Sequence, residues 1–102
     1  MTMIYEMRVY TAKPGKLKAL ALRFRNHTLR LFDRHGIHAP HVFVSKETED
    51  QLWYITEFSD EDARQAAWER FQADPEWQHI KRESEADGPL LDSQSVTLLT
   101  RI

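Results

Sequence analysis

Imidazole, guanidinium and carboxylate groups gather in two parts of this chain. The first is the run Phe24-Arg-Asn-His27-Thr-Leu-Arg-Leu-Phe32-Asp-Arg-His35-Gly36-Ile37. An unperturbed imidazole titrates near neutrality, so His27 or His35 could serve as a general acid or base. At helical rise the two lie about 12 Å apart along the axis and do not form a bidentate pair. Each also fits a structural role, with His35 bonding a backbone carbonyl at the helix end and His27 bonding a strand group. His38 and His41 follow on a strand, where their spacing sends them to opposite faces. With no cysteine in the chain and no carboxylate at matched spacing, no metal site is expected; a haem held by His35 or His27 is no better supported, so no cofactor is expected.

The second group is split between two strands. Glu6, Arg8 and Tyr10 alternate onto one face of the first, and Trp53 and Glu57 share a face of a later one. If those faces coincide, an arginine sits near a glutamate beside aromatic walls, an arrangement suited to an anionic or planar ligand. The competing reading is an ion pair that fixes a subunit interface. Arg8, Tyr10, His27, His35, Trp53 and Glu57 are therefore the candidate ligand-binding residues. Arg23, His27, Arg30 and Arg34 form a basic stripe, read as a solvated face paired with acids such as Asp33. Trp68 and Trp77 are read as packing residues between helices.

The elements that must position these groups are legible in the pattern. Met3 to Tyr10 alternates as a strand, Lys13-Pro14-Gly15 turns the chain, and Lys16 to His35 reads as a helix. One face of that helix carries Leu17, Leu20, Ala21, Phe24, Thr28, Leu31 and His35. Gly36 supplies the left-handed stop. Ile37 to Ser45 reads as a second strand, irregular at Pro40, and Gln51 to Phe58 as a third, joined to it by the polar hairpin Lys46 to Asp50. Ser59 is expected to cap a second helix that runs to Ala73. Asp74-Pro75 starts a third, Asp87-Gly88-Pro89 ends it, and Gln94 to Ile102 alternates as a last strand. The order βαββα(α)β is that of a ferredoxin-like α+β domain filling residues 1–102, with a four-stranded antiparallel sheet covered by helices on one face.

Composition narrows the function classes. The chain has 102 residues, 41% hydrophobic and 29% charged, with a formal net charge of -2, which gives no electrostatic case for nucleic acid or an anionic membrane. RNA-recognition domains share the strand order, but their basic-glycine-aromatic strand motif is missing. No Gly-x-Ser-x-Gly elbow or phosphate-binding glycine loop occurs. The first ten residues lack the basic start and apolar core of a signal peptide, and no apolar run approaches a membrane span, so a cytoplasmic protein is expected. Both sheet faces carry large apolar groups: Trp53 and Ile55 oppose Leu52, Tyr54 and Phe58, and Phe43 opposes Val42 and Val44. Exposing such a surface is unusual for a monomer, and a homodimer packed sheet to sheet is expected.

Read together, Tyr5-Glu-Met-Arg8-Val-Tyr10-Thr, Lys13-Pro-Gly-Lys16, Phe24-Arg-Asn-His27-Thr-Leu, Arg34-His35-Gly36-Ile37, Ala73-Asp-Pro-Glu-Trp77 and Asp87-Gly88-Pro89-Leu90 resemble the NIPSNAP family over almost the whole chain. Where that family often follows the His-Gly pair with a glycine-aromatic-tryptophan strand, this chain has His38-Ala-Pro-His41-Val-Phe43. The resemblance implies a dimeric α+β barrel of two ferredoxin-like subunits, each with a small cavity, and no settled activity. The expectation is a homodimeric small-molecule-binding protein with a pocket between helices and sheet. The alternative is a cofactor-independent oxygenase or isomerase in which an imidazole moves a proton on a small hydrophobic aromatic substrate.

Overall fold

Alternation in the strands and apolar stripes in the helices produce a two-layer α+β molecule, a computed structural model that describes residues 2–102. In chain order the elements are β1 (Ile4–Ala12), α1 (Leu17–Arg23), a π-helical turn (Phe24–Thr28), α2 (Leu29–Arg34), β2 (His38–Val44), β3 (Gln51–Phe58), α3 (Glu61–Ala73), α4 (Pro75–Ser84) and β4 (Leu91–Leu99). The four strands form one antiparallel sheet in the order β2-β3-β1-β4, and the helices lie on one face of it. This is the ferredoxin-like arrangement expected from the sequence.

Registry decides which side chains meet the helices. Residues paired across an antiparallel ladder share a face. Glu6 pairs with Thr56, Arg8 with Tyr54 and Tyr10 with Leu52, so these six line the helix side. Val9 pairs with Trp53, Met7 with Ile55 and Tyr5 with Glu57, and these line the other. The core fills the helix side, where Leu52, Tyr54 and Phe58 meet Leu20, Phe24, Leu31, Phe32, Ala67, Phe71 and Trp77. Pro40 sits on the edge strand β2 inside an irregularity of pairing between His38 and His41, where a missing N–H does least harm.

Three element boundaries differ from the sequence reading. The long first helix is interrupted by the π turn, in which the Leu29 N–H bonds the Phe24 carbonyl. A π turn holds more residues than an α turn and so shifts the register of the next helical segment, in which both Leu31 and Phe32 are buried. The cap of α3 is Asp60 rather than Ser59: its carboxylate accepts the Ala63 N–H at 2.7 Å. β4 starts at Leu91, three residues earlier than the alternation suggested, and ends at Leu99. Gly36 takes φ of 78° and closes the helix as expected. Asp74 caps α4 by accepting the Glu76 N–H at 2.8 Å, with Pro75 at the first position. Among the described residues no helix is long and apolar enough to cross a membrane.

Candidate functional site

Glu6 is the polar centre of the molecule. Its position on β1 points a carboxylate at the helix layer, where it is fully buried. Five donors converge on it. Arg8 Nε and Nη2 each bond it at 3.0 Å in a two-pronged pair, Thr56 Oγ1 donates at 2.7 Å, Arg64 Nη1 at 3.0 Å and Trp68 Nε1 at 3.0 Å. Burial alone would raise this carboxyl's pKa. The hydrogen bonds from Arg8, Thr56 and Arg64 outweigh it and hold the group below the usual carboxylate range. Arg64 is in turn clamped by Glu61.

The same network fixes Arg8. Its guanidinium lies over the Trp68 ring, 4.0 Å from the centroid. Nε and Nη2 are spent on Glu6, and Nη1 has no partner among the described residues. Arg8 belongs to the wall of a cavity of about 160 Å³ between the helices and the sheet. Arg8, Tyr10 and Gln94 form its sheet side, Phe24, Thr28 and Phe32 come from the first helical stretch, and Trp68, Phe71 and Trp77 come from α3 and α4. Arg23 also reaches the wall, with Nη1 held by Ser84 at 3.1 Å and Glu85 at 3.0 Å.

Two tyrosines sit beside Arg8. Tyr10 and Tyr54 hydroxyls are 2.5 Å apart. Tyr54 is wholly buried, and burial, reinforced by Tyr10, pushes its hydroxyl well above the ordinary tyrosine range, so it stays protonated. Tyr10 lines the cavity and Tyr54 does not.

The six residues singled out from the sequence therefore divide. Arg8 and Tyr10 come together at the cavity. Trp53 and Glu57 lie on the opposite side of the sheet, because β3 presents its even-numbered residues to the helices, so the two strand faces do not coincide. The glutamate that meets Arg8 is its own strand neighbour, Glu6. His35 is held at the helix end, where Nε2 lies 2.6 Å from an Asp74 carboxylate oxygen; the expected partner was a backbone carbonyl. His27 lies in the π turn and lines an outer groove with Leu22, His79 and Ile80. Its Nδ1 is buried with no hydrogen-bond partner among the described residues, and none of them offers it the expected bond from a strand.

Several cavity residues were missed or read as scaffold. Trp68 and Trp77 do pack the helices, with Phe71 between them, yet both also face the cavity. The basic stripe is not paired to Asp33. Arg23 binds Glu85, Arg30 binds Glu76, and Arg34 binds both Asp74 and Glu76, so the stripe ties the first helical stretch to α4 and its ends. Among the described residues no three His, Asp or Glu side chains converge as metal ligands would.

The family model of NIPSNAP matches residues 5–101. No curated protein matches the chain at significant similarity. Among solved structures, an uncharacterized NIPSNAP-like domain protein from Burkholderia xenovorans is 22% identical, with 99% of this chain and 86% of that one covered at a TM-score of 0.87. A NIPSNAP family protein of unknown function from Agrobacterium tumefaciens is 23% identical, covering 98% of this chain and 88% of its own at 0.84. More distant is SnoaB, a cofactor-independent oxygenase from Streptomyces nogalater, 17% identical, with 99% and 94% covered and a TM-score of 0.63. These likenesses agree with the α+β fold described above. Matched by the family model over nearly its whole length, the chain belongs to the NIPSNAP family.

Proposed function

We propose that this NIPSNAP-family chain is a cytoplasmic homodimer that binds a small molecule in the cavity between its helices and its sheet. The observation that carries the reading is the state of Arg8. A buried ion pair contributes little net stability, since desolvation offsets much of the attraction. Here the pair holds a guanidinium against Trp68 and leaves one of its nitrogens unpaired, on a residue that lines a cavity, which is how a recognition group is pre-organised. Cavities of about 150 Å³ accept a benzene ring, so a fragment-sized planar ligand fits.

The oxygenase named among the structural neighbours shares the fold with this chain at 17% identity. An oxygenase or isomerase reading requires a proton-moving group beside the substrate, and neither His27 nor His35 lines this cavity. Binding is the better supported function. It is tested by screening small planar fragments against the isotope-labelled protein while the three tryptophan indole N–H signals are followed. Binding in the cavity moves Trp68 and Trp77 and leaves Trp53, on the far side of the sheet, in place. Fragments that move only Trp53, or none that move any signal, would contradict the proposal.

A further inference from the structure

We infer that the cavity takes a small planar monocarboxylate, its carboxylate held by Arg8 Nη1 and the Tyr10 hydroxyl and its ring lying among Phe24, Trp68 and Trp77. This rests on the reading of the cavity as a ligand site and adds the class of ligand.

The first support is charge. The wall includes Arg8, Arg23 and Lys81 and no aspartate or glutamate. Arg8 is matched by Glu6 and Arg23 by Glu85, both behind the wall, whereas Lys81 has no carboxylate partner among the described residues. The lining therefore carries one uncompensated positive charge, which suits one carboxylate better than a neutral molecule, a cation or a dianion.

The second support is the direction of the tyrosine hydrogen bond. Tyr54 is fully buried, and among the described residues its hydroxyl has one partner, Tyr10. A buried O–H left without an acceptor is costly, so Tyr54 donates and the Tyr10 oxygen accepts. The Tyr10 hydrogen is thereby released for another acceptor, and Tyr10 lines the cavity. Two residues with a donor to spare, one of them charged, then line a space walled by aromatic rings.

Benzoate and benzamide separate the possibilities, since they share a shape and differ in charge. Titrating each into the intact protein by calorimetry, with the indole N–H signals as locators, should show benzoate perturbing Trp68 and Trp77 and binding at least about tenfold tighter than benzamide. Tyr10→Phe should weaken benzoate about tenfold and benzamide by less, because a hydrogen bond to a carboxylate is worth more than one to an amide carbonyl. Lys81→Gln, an exposed substitution that does not threaten folding, should also weaken benzoate selectively and flatten the salt dependence of its binding. Equal affinity for the two probes at the cavity would overturn the carboxylate assignment while sparing the cavity as a site. Benzoate binding that ignores both substitutions would overturn it as well. If neither probe perturbs Trp68 or Trp77, the assignment falls, and a wider fragment screen that is equally silent takes the binding reading with it.

Discussion

Glu6 and Asp74 are two carboxylates with different burdens. Glu6 is surrounded by Arg8, Thr56, Arg64 and Trp68, so neutralising it leaves two guanidinium groups facing an amide in a desolvated site. Glu6→Gln should therefore destabilise the fold by about 3 kcal/mol in urea unfolding. A loss below about 1 kcal/mol would mean that water reaches the network. Asp74 holds together a cap, an imidazole and a guanidinium. The bond from His35, together with those from the Glu76 N–H and Arg34, outweighs desolvation and lowers its carboxyl to about 2. Its folded value lies below its unfolded one, so its contribution is fully present above about pH 4 and is lost as pH falls toward 2. Acid unfolding measured by circular dichroism should show a shallower loss across that window in Asp74→Asn than in the native chain, from a lower starting stability. A parallel pH profile in the variant would contradict the assignment. At this scale the sequence was partly readable. The alternation of β1 correctly placed Glu6, Arg8 and Tyr10 on one face, but no local pattern says which face of β3 meets the helices. That depends on a pairing register between residues roughly fifty positions apart, and a one-residue slip exchanges Trp53 for Tyr54.

Among the elements, the strands and helix starts were readable because their signals are local. Asp74-Pro75 marked α4 through its cap and fixed φ, and Gly36 marked the end of α2. Ser59 and Asp60 both suit a cap, and only backbone geometry separates them: Asp60 is extended and reaches the Ala63 N–H. Asp60→Ala should cost about 1 kcal/mol in thermal unfolding, and Ser59→Ala a few tenths. Equal effects would show that the helix begins differently in solution. The π turn left no clear mark in the sequence. It bears on the cavity nonetheless, since Phe24 and Thr28 within it, and Phe32 one turn beyond, form the helical wall.

For the whole molecule a prominent unpartnered surface is the uncovered side of the sheet. Phe43, Trp53 and Leu99 are 56%, 38% and 41% exposed there, with Met7, Val9 and Ile55 between them, and β4 is exposed along most of its length. Such a patch favours a second copy packed against it, burying on the order of 1,600 Å² in total. Sedimentation equilibrium at micromolar concentration should give a dimer, and Trp53→Asp should dissociate or unfold it because the carboxylate would lose its water without gaining a partner. A monomer in the native protein, or an undisturbed dimer in the variant, would contradict this packing. The fold class was legible at this scale because the order of elements restricts the topologies available to so short a chain. The cavity was not, since it arises where side chains from β1, the π turn, α3 and α4 leave a gap, and no single segment encodes a gap.

That this gap is the binding site is tested most directly by a crystal structure of the protein grown with a fragment that binds it in solution. The fragment is expected between the sheet and the helices, in hydrogen-bond contact with Arg8 Nη1 and against Trp68 or Trp77. Density for it on the open sheet face, or in the outer groove beside His27, with only water in the cavity, would contradict that assignment.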